Sequence, residues 1–219
     1  MMIFIGNILN SGEIDVAREI LSAAPFEDGK LTAGWAARTV KDNEQAGASP
    51  EVERLRALIS SRILANETFA TAVRPKRLTP LVFSRYGAGK TYGSHVDDAL
   101  MGGLRTDVSF TLFLADPESY AGGELVMEGA SGEEEVKLPA GSLVAYPSTT
   151  LHRVAPVTAG LRLAAVGWAR SYVREAERRE ILFDLDRARR ALFQAQGKTQ
   201  EFDLLSKSVA NLLRMWAED

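Results

Sequence analysis

The chain has 219 residues, 46% apolar and 25% charged, which suits one globular domain of ordinary size with room for a small appendage at one end. A net charge of −3 gives no reason to expect nucleic acid or an acidic membrane surface as a partner, and the absence of cysteine excludes disulfides and thiolate metal sites. No stretch approaches the roughly 18 consecutive apolar residues of a membrane span, and Met2-Ile3-Phe4-Ile5 is too short, with no basic residues before it, for a secretory leader, so the expected location is the cytoplasm.

Residues 1–77 read as a strand followed by helices packed on the core. Ile14, Ala17, Ile20, Leu21 and Ala24 recur at helical spacing, and Asn10 precedes Glu13 by three residues as in a capping box. A stretch containing Gly and Asn follows. Ser49-Pro50-Glu51 then opens a second helix, with proline at its first position and acid in its first turn. Val52, Leu55, Leu58, Ile59 and Ile63 form its apolar stripe.

Across residues 78–173 the pattern changes to short runs of Val, Phe, Thr, Leu and Tyr separated by Gly, Pro, Asp and Ser. The expected strands are Pro80–Tyr86, Tyr92–Asp97, Arg105–Leu114, Gly123–Met127, Glu134–Leu138, Ser142–Pro147, Leu151–Val154 and Leu161–Arg170. Eight strands at this spacing predict a sandwich or jelly roll, because two paired sheets remove most of the exposed edge. Residues 174–219 return to helix. One stripe holds Ile181, Leu182, Leu185, Ala188 and Leu192; a second, after a break at Gly197, holds Phe202, Leu205, Val209, Leu212, Leu213 and Trp216. Such a pair serves either as core packing or as a contact between copies of the chain. The fold class is therefore mainly β with flanking helices (α+β).

The chain contains two histidines, His95 and His152. In His95-Val96-Asp97 the outer two residues share one face of a strand, so an imidazole and a carboxylate can converge on one ion while Val96 turns away. With His152 they form the ligand set of a 2-His-1-carboxylate triad, which leaves positions on ferrous iron for oxygen and a bidentate organic acid. Ten residues beyond His152, Arg162 is a lone charge in the apolar run Leu161-Arg162-Leu163-Ala164-Ala165-Val166. A guanidinium there suits the distal carboxylate of a metal-chelating diacid. Gly87 and Gly89 allow a tight turn that returns Tyr86 to the site, where its hydroxyl could help hold that carboxylate. Ala88-Gly89-Lys90-Thr91 lacks the first glycine of a phosphate loop and no helix follows it. Asp98 should face away from the ligands, Tyr146 and Trp168 read as core aromatics, Gly122-Gly123-Glu124 reads as a turn entering a strand, and Arg105 and Thr106 are open candidates for the substrate mouth.

Tyr86-Gly-x-Gly-x-x-Tyr-x-x-His95-x-Asp97, Ser109-Phe110-Thr111-Leu112-Phe113-Leu114, Tyr120-Ala121-Gly122-Gly123-Glu124-Leu125, Pro139-Ala140-Gly141-Ser142 through Ser148, and Leu151-His152-Arg153-Val154 together resemble the prolyl-4-hydroxylase type of Fe(II)/2-oxoglutarate oxygenases, and in particular the bacterial PKHD-type hydroxylases. The likeness covers residues 78–173, and the tail through Asn211–Trp216 is similar to that group's C-terminal region. The resemblance implies a double-stranded β-helix. It places Fe(2+) on His95, Asp97 and His152 and 2-oxoglutarate on Arg162, with L-ascorbate as a possible reductant. It also implies consumption of O2, release of succinate and CO2, and hydroxylation of a C–H bond in a peptidyl or small-molecule substrate. Two other classes fit the same ligands: a zinc hydrolase, and a non-catalytic sensor that binds iron and 2-oxoglutarate.

Overall fold

The first helix begins where its capping residues predict. In the computed structural model, which describes residues 1–219, α1 spans Ser11–Ala23. The Asn10 side chain accepts from the Glu13 amide at 2.9 Å, and the Glu13 carboxylate accepts from the Asn10 amide at 3.0 Å. Two donors that a helix N-terminus leaves open are thereby satisfied. The second helix, α2 (Pro50–Ala65), starts on Ser49, whose hydroxyl accepts from the Val52 amide, and buries Val52, Leu55, Ile59 and Ile63. Leu58 lies at the rim of that stripe and is only half-buried. A third helix, α3 (Glu67–Val73), follows at once. Asn66 ends one helix and caps the next, so the periodicity does not reveal the break.

The N-terminal third also contributes strands that the sequence does not announce. Phe26–Asp28, Lys41–Asp42, Glu44–Ala46 and Pro75–Leu78 are short and mostly polar; the last three each pair along a longer strand, and Phe26–Asp28 pairs in turn with Glu44–Ala46. With them the larger antiparallel sheet runs Ile3–Ile5, Leu143–Pro147, Val108–Phe113, Arg162–Ser171, Val82–Tyr86, Glu44–Ala46, Phe26–Asp28. The smaller sheet runs Gly132–Val136, Leu125–Gly129, His152–Val154, Thr91–His95, Lys41–Asp42. All eight strands expected between residues 78 and 173 are present, with ends shifted by a few residues.

The Arg162–Ser171 strand shows how the layers are built. Leu163, Ala165 and Ala169 face outward into a core that includes Ala17 and Leu21 of α1 and Val52, Leu55, Ile59 and Ile63 of α2. Burying such Leu, Ile and Val side chains contributes about 1.5–3 kcal/mol each. The intervening residues Arg162, Val166 and Trp168 face the space between the two sheets, part of which is packed by residues including Phe113, Leu125, Val144 and Val154 and part of which is a cavity of about 1150 Å³.

The C-terminal helices α4 (Ala176–Gln196) and α5 (Gln200–Trp216) form the expected pair, and no helix is long and apolar enough to cross a membrane. The buried face of α4 differs from the apolar stripe. Ile181 and Ala188 are exposed, whereas Arg179, Leu182 and Asp186 are buried. Two backbone carbonyls, of Val173 and Arg174, accept from Arg179 at 2.9 and 2.7 Å, and Arg190 pairs with Asp186 at 2.9 Å. Polar residues with partners supplied by a neighbouring segment can occupy a buried face that hydropathy assigns to solvent. Arg105 likewise belongs to the scaffold. It ion-pairs with Asp107 at 2.7 Å and with Glu218 at 2.8 Å, tying the chain's end to the barrel instead of facing the mouth.

Candidate active site

Three side chains from two adjacent strands and the turn after one of them meet in the cavity. His95 ends the Thr91–His95 strand, Asp97 lies just past that end, and His152 begins the adjacent strand, directly paired with His95. One ligand atom from each of the three lies within 4.8 Å of the others. The Asp97 carboxylate is 3.9 Å from the Nε2 of both histidines, and all three side chains are nearly buried. Each Nδ1 lies against a carbonyl two residues back, His95 on Gly93 at 2.8 Å and His152 on Thr150 at 3.0 Å. That arrangement leaves both Nε2 lone pairs for the shared centre. Ser109 Oγ donates to Asp97 Oδ2 at 2.5 Å and is itself 2.8 Å from Ser148 Oγ. Tyr92 stacks on the His95 ring with centroids 3.7 Å apart, and Tyr146 meets His152 edge-on at 5.2 Å. Two imidazoles and one carboxylate, each with a supporting hydrogen bond, form a donor set that fits a divalent first-row metal.

Burial, reinforced by the neighbouring His152, pushes the His95 imidazole down to about 4. An unfolded chain takes up that proton near pH 6.5. Between these values the unfolded state binds more protons than the folded one, so stability falls as the pH falls. The metal-free protein is expected to lose thermal stability on acidification through this window, and His95→Asn should flatten the loss. Equal slopes for the two proteins would disprove the assignment.

Farther into the cavity Arg162 sits opposite Tyr86 in strand register, its Cζ 5.1 Å from the Tyr86 ring centroid and 5.6 Å from that of Phe113. Arg162 is 1% exposed, its Nε has no partner, and it takes part in no ion pair of the protein. Gly123 makes the space for it, since a Cβ there would sit 3.1 Å from Arg162 Cδ and 2.8 Å from Val157 Cγ2. The glycine's φ of +69° would also strain any other residue. Burial pushes the Tyr86 phenol up, opposed by the Arg162 guanidinium.

The cavity wall also includes residues that sequence reasoning placed elsewhere or passed over. Tyr146 is packed in the core between the sheets, as expected, with one side on the cavity. Trp168, also expected in the core, lines the cavity with its Nε1 buried and without a partner, because its strand position faces open space rather than a packed side chain. Asp98 is exposed at the rim, with its carboxylate against Gly34 and its carbonyl accepting from Thr106 Oγ1 at 2.6 Å. Lys41, Asn43 and Gln45 were not anticipated. Their one signal is the unbroken polar run Lys41-Asp42-Asn43-Glu44-Gln45, which is indistinguishable from a loop until the segment is seen to pair. Lys41 Nζ lies 5.0 Å from the Tyr92 ring centroid, and burial pulls its pKa down to about 8.

Comparison with known proteins now decides the family. Residues 81–170 match the 2OG-Fe(II) oxygenase superfamily, and residues 177–218 match the PKHD-type hydroxylase C-terminal domain. A PKHD-type hydroxylase of Picosynechococcus sp. is 55% identical over 219 residues, with 100% of both chains covered, and one of Maricaulis maris is 51% identical with the same coverage. The chain belongs to the PKHD-type hydroxylases. It is accordingly an enzyme of the iron- and 2-oxoglutarate-dependent oxygenases. Among solved structures, a Pseudomonas putida prolyl-4-hydroxylase is similar with a TM-score of 0.57 at 23% identity, covering 78% of this chain and 92% of that one. A viral collagen prolyl hydroxylase from Paramecium Bursaria Chlorella virus-1 gives 0.53 at 20% identity, covering 78% and 96%. These likenesses establish the double-stranded β-helix fold of this hydroxylase.

Proposed function

We propose that this PKHD-type hydroxylase holds ferrous iron with His95, Asp97 and His152, anchors 2-oxoglutarate through Arg162 and Tyr86, and hydroxylates a C–H bond of a substrate entering at the cavity mouth, with release of succinate and CO2. The observation that carries the reading is Arg162: a buried guanidinium with no protein carboxylate to meet it, facing the same cavity as the three ligands. Such a charge is costly unless an anion arrives. A zinc hydrolase would leave it without a purpose.

Iron, when bound, supplies the oxygen chemistry; the protein's residues supply the geometry. Ser109 fixes the Asp97 carboxylate, and the Gly93 and Thr150 carbonyls fix the two rings. Arg162 and Tyr86 receive the diacid's far end, which orients its oxo-acid end toward the ligands. The cavity's size leaves room for a second molecule beside the co-substrate, and Trp168, Val166 and Leu100 are among the apolar residues that line it. L-ascorbate serves as reductant in this scheme.

The test is aerobic succinate release from iron and 2-oxoglutarate in the presence of a panel of peptides, amino acids and other small molecules. Succinate and hydroxylated product are expected in equal amounts, with neither formed without O2. Turnover that persists anaerobically with zinc, or ligand binding with no succinate above background, would rule the reading out.

A further inference from the structure

Between Val40 and Gly47 the chain crosses from one sheet to the other. Lys41 and Asp42 pair with Tyr92 and Thr91 in the smaller sheet, and Glu44 and Gln45 pair with Arg85 and Ser84 in the larger. Alternate side chains of an extended segment share a face, and Lys41, Asn43 and Gln45 are all buried and all line the cavity. Two of them are engaged with a neighbour. Lys41 Nζ donates to Thr32 Oγ1 at 3.1 Å, and that hydroxyl donates to Gln45 Oε1 at 2.7 Å.

Asn43 is different. It is 2% exposed, and neither its Nδ2 nor its Oδ1 completes a hydrogen bond of good geometry, although its amide lies close enough to the Tyr86 phenol to oppose the rise that burial imposes there. Native proteins rarely leave a buried amide unsatisfied in this way. Extending the Glu44–Arg85 and Gln45–Ser84 register by one residue sets position 43 opposite Tyr86, which is in turn paired with Arg162. Behind the amide stands Gly29, whose backbone N–H donates to the Asn43 carbonyl at 2.9 Å. A Cβ at Gly29 would fall 1.8 Å from Oδ1, so the amide is closely backed there. The Oδ1 edge is the one turned toward Gly29, which leaves Nδ2 on the side away from it.

We propose that Asn43 is a co-substrate specificity residue: its Nδ2 donates to the distal carboxylate of 2-oxoglutarate beside Arg162 and Tyr86, and its amide forms the end wall that fixes the length of the diacid. The inference rests on the reading of Arg162 given above. The stoichiometry of donors agrees with it. An ionised carboxylate offers about four lone-pair sites; the guanidinium fork fills two, the Tyr86 hydroxyl a third, and Nδ2 the fourth.

The test is calorimetric titration of 2-oxoglutarate into the Mn(II)-loaded protein, which needs no turnover. Asn43→Ala is expected to weaken binding roughly tenfold, as loss of a hydrogen bond to a charged group does. Asn43→Asp, nearly isosteric, should weaken it further by setting one carboxylate against another. Truncation to alanine should also narrow the preference for 2-oxoglutarate over 2-oxoadipate, an effect that a merely structural asparagine would not produce. If Asn43→Ala melts below the wild type, the near-isosteric aspartate variant carries the test. Wild-type affinity and unchanged chain-length preference in the folded variants would overturn the proposal. A wild-type protein that binds no 2-oxoglutarate would overturn both readings. Binding that is lost in Arg162→Met but unchanged in Asn43→Ala and Asn43→Asp would overturn this one alone.

Discussion

Asp97→Ala is expected to abolish metal-dependent turnover, with a loss well beyond the roughly 10–100-fold that removal of an outer hydrogen-bond partner costs. Asp97 supplies the only carboxylate of the ligand cluster, and its oxygens stand equally far from both Nε2 atoms. Without it two imidazoles remain, beside the Lys41 side chain, and a dication is poorly held. Ser109→Ala provides the graded comparison. It leaves all three ligands but frees the carboxylate that the hydroxyl holds at 2.5 Å, so its loss should fall within the outer-partner range. Metal content by elemental analysis and succinate release check both. An Asp97→Ala protein that keeps one metal ion per chain and wild-type turnover would remove the carboxylate from the site.

Arg162→Met separates stability from function. The arginine is buried without an anion in the ligand-free protein, and an apolar side chain of similar length removes an uncompensated charge. Metal-free Arg162→Met is therefore expected to be more stable than the wild type by roughly 1–3 kcal/mol, or a few degrees in Tm for a chain of this size. The same substitution should weaken 2-oxoglutarate binding by about two orders of magnitude or more, since a bidentate, charge-assisted pair is lost. Thermal melts with and without 2-oxoglutarate measure both effects. The co-substrate should raise the wild-type Tm and leave that of the variant unchanged. A variant that melts lower and still responds to 2-oxoglutarate would show that the guanidinium has a structural role.

Much of this was legible in the chain because the responsible physics is local. The capping box of α1 and the Ser-Pro start of α2 act within four residues, and the eight expected strands between Val82 and Ser171 declare themselves by their residue types and turn residues, whereas the short strands Leu100–Met101, Tyr120–Gly122 and Val157–Gly160 do not. The pair of histidines and Asp97 converge because Asp97 follows His95 by two residues, just past the end of its strand, and because His152 lies in direct register with His95. Arg162 stood out as one charge in an apolar run.

Other features depend on what lies across the fold. Lys41, Asn43 and Gln45 read as loop because a strand whose inward side is polar has no hydrophobic period, and its pairing is set by the open edges of Thr91–His95 and Val82–Tyr86. Trp168 has the alternation of a core residue; that it lines a cavity follows from the separation of two sheets, which no single strand encodes. The buried face of α4 was misjudged for the related reason that Arg179 and Asp186 take their partners from backbone and side chains supplied by the folded surroundings. By itself the sequence determined the longer helices, the central strands and the grouping of two histidines with one carboxylate, since these need only neighbours along the chain or one repeated period. Tertiary structure alone decided which polar and aromatic side chains face the cavity, because that depends on distances between surfaces brought together from opposite ends of the chain.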